Sequence, residues 1–323
     1  MKNILVTGGA GYIGSHACKA LAKAGYTPIC YDSLERGHEW AVKWGPLEQG
    51  NILDKTRLEE VLKQYQPEAV MHFAGYISVE ESVKAPALYQ RNNVEGSKVL
   101  IDAAVAHNIK QFIFSSTCAV HGIPNQQIIT EDLPIKPINP YGESKAEIEN
   151  VLRDTALKND FAYVALRYFN AAGADRDGEI GEAHEPESHL IQLILDTAAG
   201  KREHISIYGT DYDTPDGTCV RDYIHVNDLA EGHVQALRYL EGNAESQVIN
   251  LGTGKGFSVK EIIDCARKIT GKTINEKVES RRAGDPSYLV ASNDRAKTVL
   301  GWQPQHSQIE TIIETAWRWH QTR

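Results

Sequence analysis

The sequence predicts a doubly wound α/β fold, and two observations carry the prediction. Short β-branched runs alternate with helix-length segments through the first half of the chain, and a glycine-rich turn joins the first run to the first helical segment. Strand and helix in alternation imply right-handed βαβ units, hence a parallel sheet covered by helices on both faces.

Taken in order, Asn3 to Thr7, Thr27 to Tyr31, Ala69 to Phe73, Gln111 to Ser115 and Phe161 to Arg167 read as strands. Helical patterns begin at Tyr12 and near Lys55, Pro86 and Tyr141. After Asn170 a Gly-, Asp- and His-rich stretch runs to His189, the longest poorly patterned segment. A boundary is placed there, because 323 residues exceed what one core usually serves. Residues 1–170 form the expected dinucleotide-binding domain, and 171–323 a smaller mixed α/β substrate-binding lobe. In that lobe Leu190 to Ala199, Val226 to Leu240, Val259 to Ile269 and Ile309 to His320 read as helices and Val248 to Leu251 as a strand. Segments between about 222 and 251 are expected to return to the first domain.

Composition narrows the function classes. A net charge of −9 without clustered Lys and Arg argues against a nucleic-acid partner. No apolar stretch approaches the roughly 20 residues of a membrane span, and the first residues resemble neither a signal nor a transit peptide. The five cysteines are scattered and lack a C-x-x-C pair, as reduced thiols are. A cytoplasmic protein is expected.

Gly8, Gly11 and Gly14 stand three residues apart between the first strand and the first helix. Such a turn brings backbone close to a pyrophosphate and aims a helix N-terminus at it, the Rossmann-type arrangement. Asp32 ends the second strand, where a carboxylate accepts both ribose hydroxyls and repels a 2′-phosphate. NAD is therefore expected over NADP, with nearby Arg36 as the residue that favours the alternative.

Tyr141 and Lys145 are four apart at a helix start, so both side chains reach one centre. Ser115, Ser116 and Thr117 close a strand about 24 residues earlier. A hydroxyl oxidised to a ketone loses its proton as its hydride leaves, and a phenol of ordinary pKa near 10 is a poor base at neutral pH. Lys145 and a positive nicotinamide would stabilise the phenolate; a downward shift of about three units takes roughly 4 kcal/mol. Thr117 would hydrogen-bond the reacting oxygen.

Several separated stretches now carry a resemblance: Thr7-Gly8-Gly9-Ala10-Gly11-Tyr12-Ile13-Gly14-Ser15-His16, His72-Phe73-Ala74-Gly75, Glu81-Ser82-Val83, Asn92-Asn93-Val94, Tyr141-Gly142-Glu143-Ser144-Lys145, Arg167-Tyr168-Phe169-Asn170 and Val220-Arg221-Asp222-Tyr223-Ile224-His225-Val226. Over nearly its whole length the chain resembles the extended short-chain dehydrogenase family, and within it the 4-epimerases of UDP-glucose and UDP-galactose. The resemblance implies a tightly held NAD, reduced and reoxidised in each turnover through a 4-keto sugar that rotates while UDP stays anchored. It implies cofactor contacts at Gly8, Gly11, Tyr12, Ile13, Gly14, Asp32, Ser33, Asn51, Ile52, Phe73, Ala74, Gly75, Asn92, Ser115, Tyr141, Lys145 and Tyr168. It implies substrate contacts at Thr117, Tyr141, Asn170, His189, Leu190, Tyr208, Arg221, Tyr223, Arg282, Asp285 and Leu289, and catalysis by Thr117, Tyr141 and Lys145. A homodimer is implied by resemblance alone.

The chain departs from the commonest family pattern at Ile77, where some members place a Lys, at Asn51, where many have Asp, and at His121, where a Tyr is usual. Leu289 holds the position that sets the room around the sugar's 2-substituent; its intermediate size leaves UDP-N-acetylglucosamine open as an alternative substrate. A 4,6-dehydratase would need an acidic pair after Thr117, where Cys118-Ala119 stand. A net dehydrogenase would accumulate reduced cofactor, and a non-catalytic NAD sensor has no use for an intact Thr117, Tyr141 and Lys145 set. His184-Glu185 and His189 look superficially like a zincin helix, but the second His is at i+5 and Pro186 interrupts the helix, so no metal is expected.

Overall fold

The computed structural model describes residues 1–124, 126–282 and 285–323. The first half alternates as its pattern requires. It runs β1 (Asn3–Thr7), α1 (Tyr12–Lys23), β2 (Thr27–Asp32), β3 (Leu47–Gln49), α2 (Lys55–Tyr65), β4 (Ala69–His72), α3 (Val79–Lys84), α4 (Pro86–Tyr89), α5 (Gly96–Ala106) and β5 (Gln111–Ser115). The short β6 (Ile128–Ile129), the long α6 (Pro140–Lys158) and β7 (Ala162–Arg167) follow. Beyond them lie β8 (Asn170–Ala172), α7 (Leu190–Ala198), β9 (Ile205–Tyr208), β10 (Val220–Arg221), β11 (Tyr223–His225), α8 (Val226–Glu241) and β12 (Gln247–Asn250). The chain closes with β13 (Phe257–Ser258), α9 (Val259–Thr270), β14 (Glu276–Glu279), β15 (Tyr288–Ala291), α10 (Asp294–Leu300) and α11 (Ile309–His320).

Seven strands form one parallel sheet in the order β12-β7-β5-β4-β1-β2-β3. The order in which successive strands are added reverses between β1 and β4, which opens a crevice beyond their C-terminal ends, the usual ligand position of such sheets. Two apolar layers cover the faces. One gathers Val6, Ala17, Leu21, Met71, Val164, Leu229 and Leu237 between the sheet and helices α1 and α8. The other packs Leu5, Leu58, Val70, Leu100, Phe112 and Leu152 against α2, α5 and α6. A third cluster of Ile191, Ile194, Ile207, Ile262, Ile312 and Ile313 holds α7, α9 and α11 together.

The segment from α8 to β12 belongs to the large sheet: β12 pairs with β7 and α8 lies against α1. Two elements escaped the sequence pattern. β3 is only three residues long and half exposed, too short to alternate. Residues 90–95 form a π-helical turn between α4 and α5 that buries Asn93 and Val94, and such turns are frequent at functional sites. β8 to β11 and β13 to β15 are two to four residues each and gain their pairing from distant partners.

Candidate active site

At the crevice the glycine turn is defined by backbone contact. Gly8 adopts φ +73°, and a Cβ there would lie 2.6 Å from the Ala74 nitrogen. A Cβ at Gly14 would lie 2.1 Å from the Gly8 carbonyl oxygen, so helix and turn touch with no side chain between them. Gly11 caps α1 without any side-chain acceptor, leaving the first-turn N–H groups and the positive end of the helix facing the crevice. The residues present therefore fit a pyrophosphate.

Asp32 is 7% exposed. Its carboxylate accepts the Ala10 N–H at 3.0 Å and the Leu34 N–H at 2.9 Å, while burial pushes its pKa up against those bonds. Arg36 turns away from Asp32: it bonds Glu81 at 2.7 Å and stacks on Tyr76 at 4.3 Å. A committed guanidinium is a poor clamp for a 2′-phosphate, which favours NAD. Ser33 accepts the Glu35 N–H, and Asn51 folds an Asx turn by accepting the Leu53 N–H at 2.9 Å beside buried Ile52. Phe73 and Ala74 donate their N–H groups to the Thr7 carbonyl, which fixes the β4 exit against the turn. The Tyr12 hydroxyl donates to the Gly173 carbonyl at 2.7 Å, tying the start of α1 to the segment after β8.

The reacting groups converge from β5 and α6. Asn139 caps α6 by accepting the Gly142 N–H at 2.8 Å, with Pro140 at the first helical position. That start places Tyr141 and Lys145 on one face. The Thr117 hydroxyl favours the ionised form of the Tyr141 phenol, and it donates to the Tyr168 carbonyl and accepts the Ala119 N–H. Lys145 is 5% exposed; its ammonium donates to the Ser115 carbonyl at 2.8 Å and lies 4.9 Å over the Phe114 ring. A Cβ on Gly75 would come within 3.8 Å of Lys145 Nζ, so the β4 exit and α6 share one pocket. The Ser115 and Tyr168 hydroxyls bond each other, and Tyr168 is 7% exposed.

Burial sets the electrostatics of the polypeptide alone. Burial pushes Tyr141 up to about 12, against the hydrogen bond from Thr117, and Lys145 down to about 8, against Glu149. The polypeptide alone thus keeps the phenol protonated at neutral pH, while the Lys145 ammonium spends one of its three N–H groups on the Ser115 carbonyl.

Asn170 donates its amide to the Asp222 carbonyl at 2.9 Å. Arg221 forms an ion pair with Asp285 and sits in register with Leu289 across the β10–β15 pair. Arg282 stacks on Tyr208 at 3.9 Å, and Tyr223 is buried. His189 caps α7 and Leu190 opens it, with His189 Nδ1 turned to Glu182 and Glu187.

Three supporting side chains were not singled out from sequence. Glu149, one turn beyond Lys145, receives both Arg167 and Ser116, whose neighbours Tyr168 and Thr117 line the site. Asn93 accepts the Tyr76 N–H at 2.8 Å and donates to its carbonyl at 2.9 Å, with Asn92 bonded to it. Asp222 accepts from the Thr253 N–H and hydroxyl and from the Ala291 N–H, which locks the Arg221–Tyr223 segment to two loops. The i+4 spacing from Lys145 was a signal for Glu149; the partners of Asp222 lie too far along the chain to leave one. A surface depression of about 330 Å³ lined by Leu62, Gln66 and His107 lies at the opposite, N-terminal strand edge, away from this chemistry.

The model of the NAD dependent epimerase/dehydratase family matches residues 4–252. The chain belongs to this family. It is 53% identical over 321 residues to a UDP-glucose 4-epimerase of Rhizobium meliloti (strain 1021), covering 99% of this chain and 98% of that one. Its fold superposes on the UDP-glucose 4-epimerase from Brucella ovis in complex with NAD with a TM-score of 0.97, at 48% identity and 98% coverage of both chains. The Bifidobacterium longum enzyme in complex with NAD+ and UDP gives 0.94 at 36% identity, covering 100% of this chain and 99% of that one. Family membership and the NAD-bound relatives give the chain its cofactor, NAD.

Proposed function

We propose that this chain interconverts UDP-glucose and UDP-galactose at C4, as an NAD-dependent isomerase with no net redox change. The observation that carries the reading is the convergence of Thr117, Tyr141 and Lys145 on the crevice built by Gly8, Gly14 and Asp32. When bound, NAD supplies a reversible hydride acceptor. Everything else falls to the chain.

Tyr141 takes the proton of the sugar 4-hydroxyl while that carbon becomes a ketone, and later returns it. Thr117 orients the reacting oxygen. Lys145 holds positive charge near the phenol, supplementing a cofactor charge that the polypeptide alone does not replace. Stereochemistry inverts because the keto sugar presents its other face, so anchoring must sit on the nucleotide rather than the hexose. Asn170, Leu190, Tyr208, Arg221, Tyr223, Arg282, Asp285 and Leu289 are proposed to provide that anchor, with Arg221 and Arg282 on the diphosphate, while His189 is held by Glu182 and Glu187. The proposed division assigns 1–170 and the 222–251 return to the cofactor and the rest mainly to UDP-sugar.

Incubating UDP-galactose with the purified protein, without added NAD, tests the reading by proton NMR. UDP-glucose is expected with no build-up of reduced cofactor in the optical spectrum; absence of the epimer overturns it. No helix among the described residues is long and apolar enough to cross a membrane, and all five cysteines are free. A cytoplasmic homodimer is proposed by family resemblance, and light scattering after size exclusion checks it.

A further inference from the structure

The 182–189 segment is not the helix that a zincin motif needs. It is a loop, and the loop brings together what the helix would not. Glu182 Oε1 lies 3.0 Å from His184 Nδ1 and 2.8 Å from His189 Nδ1, and His189 Nδ1 lies 3.0 Å from Glu187 Oε1. These two nitrogens and two carboxylate oxygens all lie within 4.8 Å of one another. The Glu182 side chain is 3% exposed, and among the described residues no lysine or arginine comes within 4.0 Å of either carboxylate.

A second carboxylate cluster in the same chain shows the contrast. Asp175, Asp177 and Glu179 converge on the Lys19 ammonium at 2.6 to 2.8 Å, so their compensating cation is built in. At Glu182 the nitrogen partners are imidazoles, side chains that also serve as metal ligands. A buried carboxylate sharing one oxygen between two imidazole nitrogens is also the geometry of donors around a common centre.

We infer that Glu182, His184, Glu187 and His189 form a binding site for one divalent transition-metal ion, of which zinc fits best. Four donors at Zn–N and Zn–O distances of about 2.0–2.1 Å stand roughly 3.3 Å apart in a tetrahedron, a few tenths of an ångström wider than the pairs above. Two imidazoles with two carboxylates suit zinc, whereas calcium and magnesium prefer oxygen throughout. The site's support is in place: the Ser188 and His189 N–H groups donate to Glu187, and the Trp319 indole donates to the Glu182 carbonyl. The role is structural. The His184 ring packs edge-on against Tyr12, at 6.1 Å, and lines a narrow cleft with Gly11 and Arg36, so the metal would clip this loop over the glycine turn.

The test uses untagged full-length protein, stripped with a chelator and titrated with zinc chloride. One zinc per chain by elemental analysis is expected, with a raised melting temperature that magnesium chloride does not reproduce. His184→Ala and Glu187→Gln should each weaken zinc binding by about 100-fold or more. Cobalt(II) added to the unmutated protein should give the intense visible bands of a four-coordinate site, a readout independent of whether any variant folds. Failure to retain zinc, equal zinc binding by both variants, or a weak six-coordinate cobalt spectrum would each overturn the inference. Epimerase activity is not the readout, so the assignment of function stands or falls separately.

Discussion

Tyr141 and Lys145 show how burial and chemistry compete at single side chains. On the proposed mechanism Tyr141→Phe removes the hydroxyl that moves the proton and leaves the ring and the other proposed cofactor contacts in place, so turnover should fall by about 10³-fold or more while NAD binding persists. Steady-state rates with a parallel NAD titration check it. Lys145 carries its charge in a buried place, with a pKa of about 8 against an ordinary 10.5. The unfolded chain therefore holds this proton more tightly than the folded one between about pH 8 and 10.5. The cost is fully present below pH 8 and is relieved as pH rises through that window. Lys145→Met should accordingly abolish turnover yet stabilise the cofactor-free protein by about 1–3 kcal/mol at pH 7. Thermal unfolding should show the gain shrinking by pH 10; a gain independent of pH contradicts the argument.

At the scale of elements, helix α6 does two jobs along one face. Its first two turns present Tyr141 and Lys145, and its third turn presents Glu149, which pairs with Arg167 at the end of β7 and with Ser116 after β5. Both partners are under 10% exposed, and truncating one leaves a buried charge alone. Glu149→Ala should cost about 3–5 kcal/mol in denaturant unfolding, with Glu149→Gln milder because it keeps hydrogen-bond acceptors and donors in place. The turn from β1 into α1 has no such tolerance. Gly14→Ala puts a methyl into the Gly8 carbonyl, and NAD affinity measured by fluorescence quenching should drop about tenfold or more.

Across the whole molecule, the two regions are joined by contacts between distant stretches. Lys19 on α1 meets Asp175, 156 residues on, and the pair is almost fully buried. Lys19→Met should destabilise the protein by about 3–5 kcal/mol, since Asp175 then keeps a buried charge without its partner. Chemical denaturation checks this, and an additional Asp175→Asn change should recover part of the loss.

Local patterning sufficed for much of this. Alternating runs and helical periods are properties of neighbours in sequence, so β1, β5 and α11 were legible to the residue, as were the glycine turn, Asp32 and the Tyr141–Lys145 face. The same information does not encode how deeply Lys145 is buried, because a charge's cost depends on what surrounds it and not on its spacing. Arg221 meets Asp285 across 64 residues, and Asp222 is held by Thr253 and Ala291; no local signal encodes such pairings. The 182–189 stretch makes the division plain. From sequence it was a failed helix motif, since helical spacing was the only geometry available to test; a loop has no fixed period, and only folding brought its two histidines and two glutamates to one point.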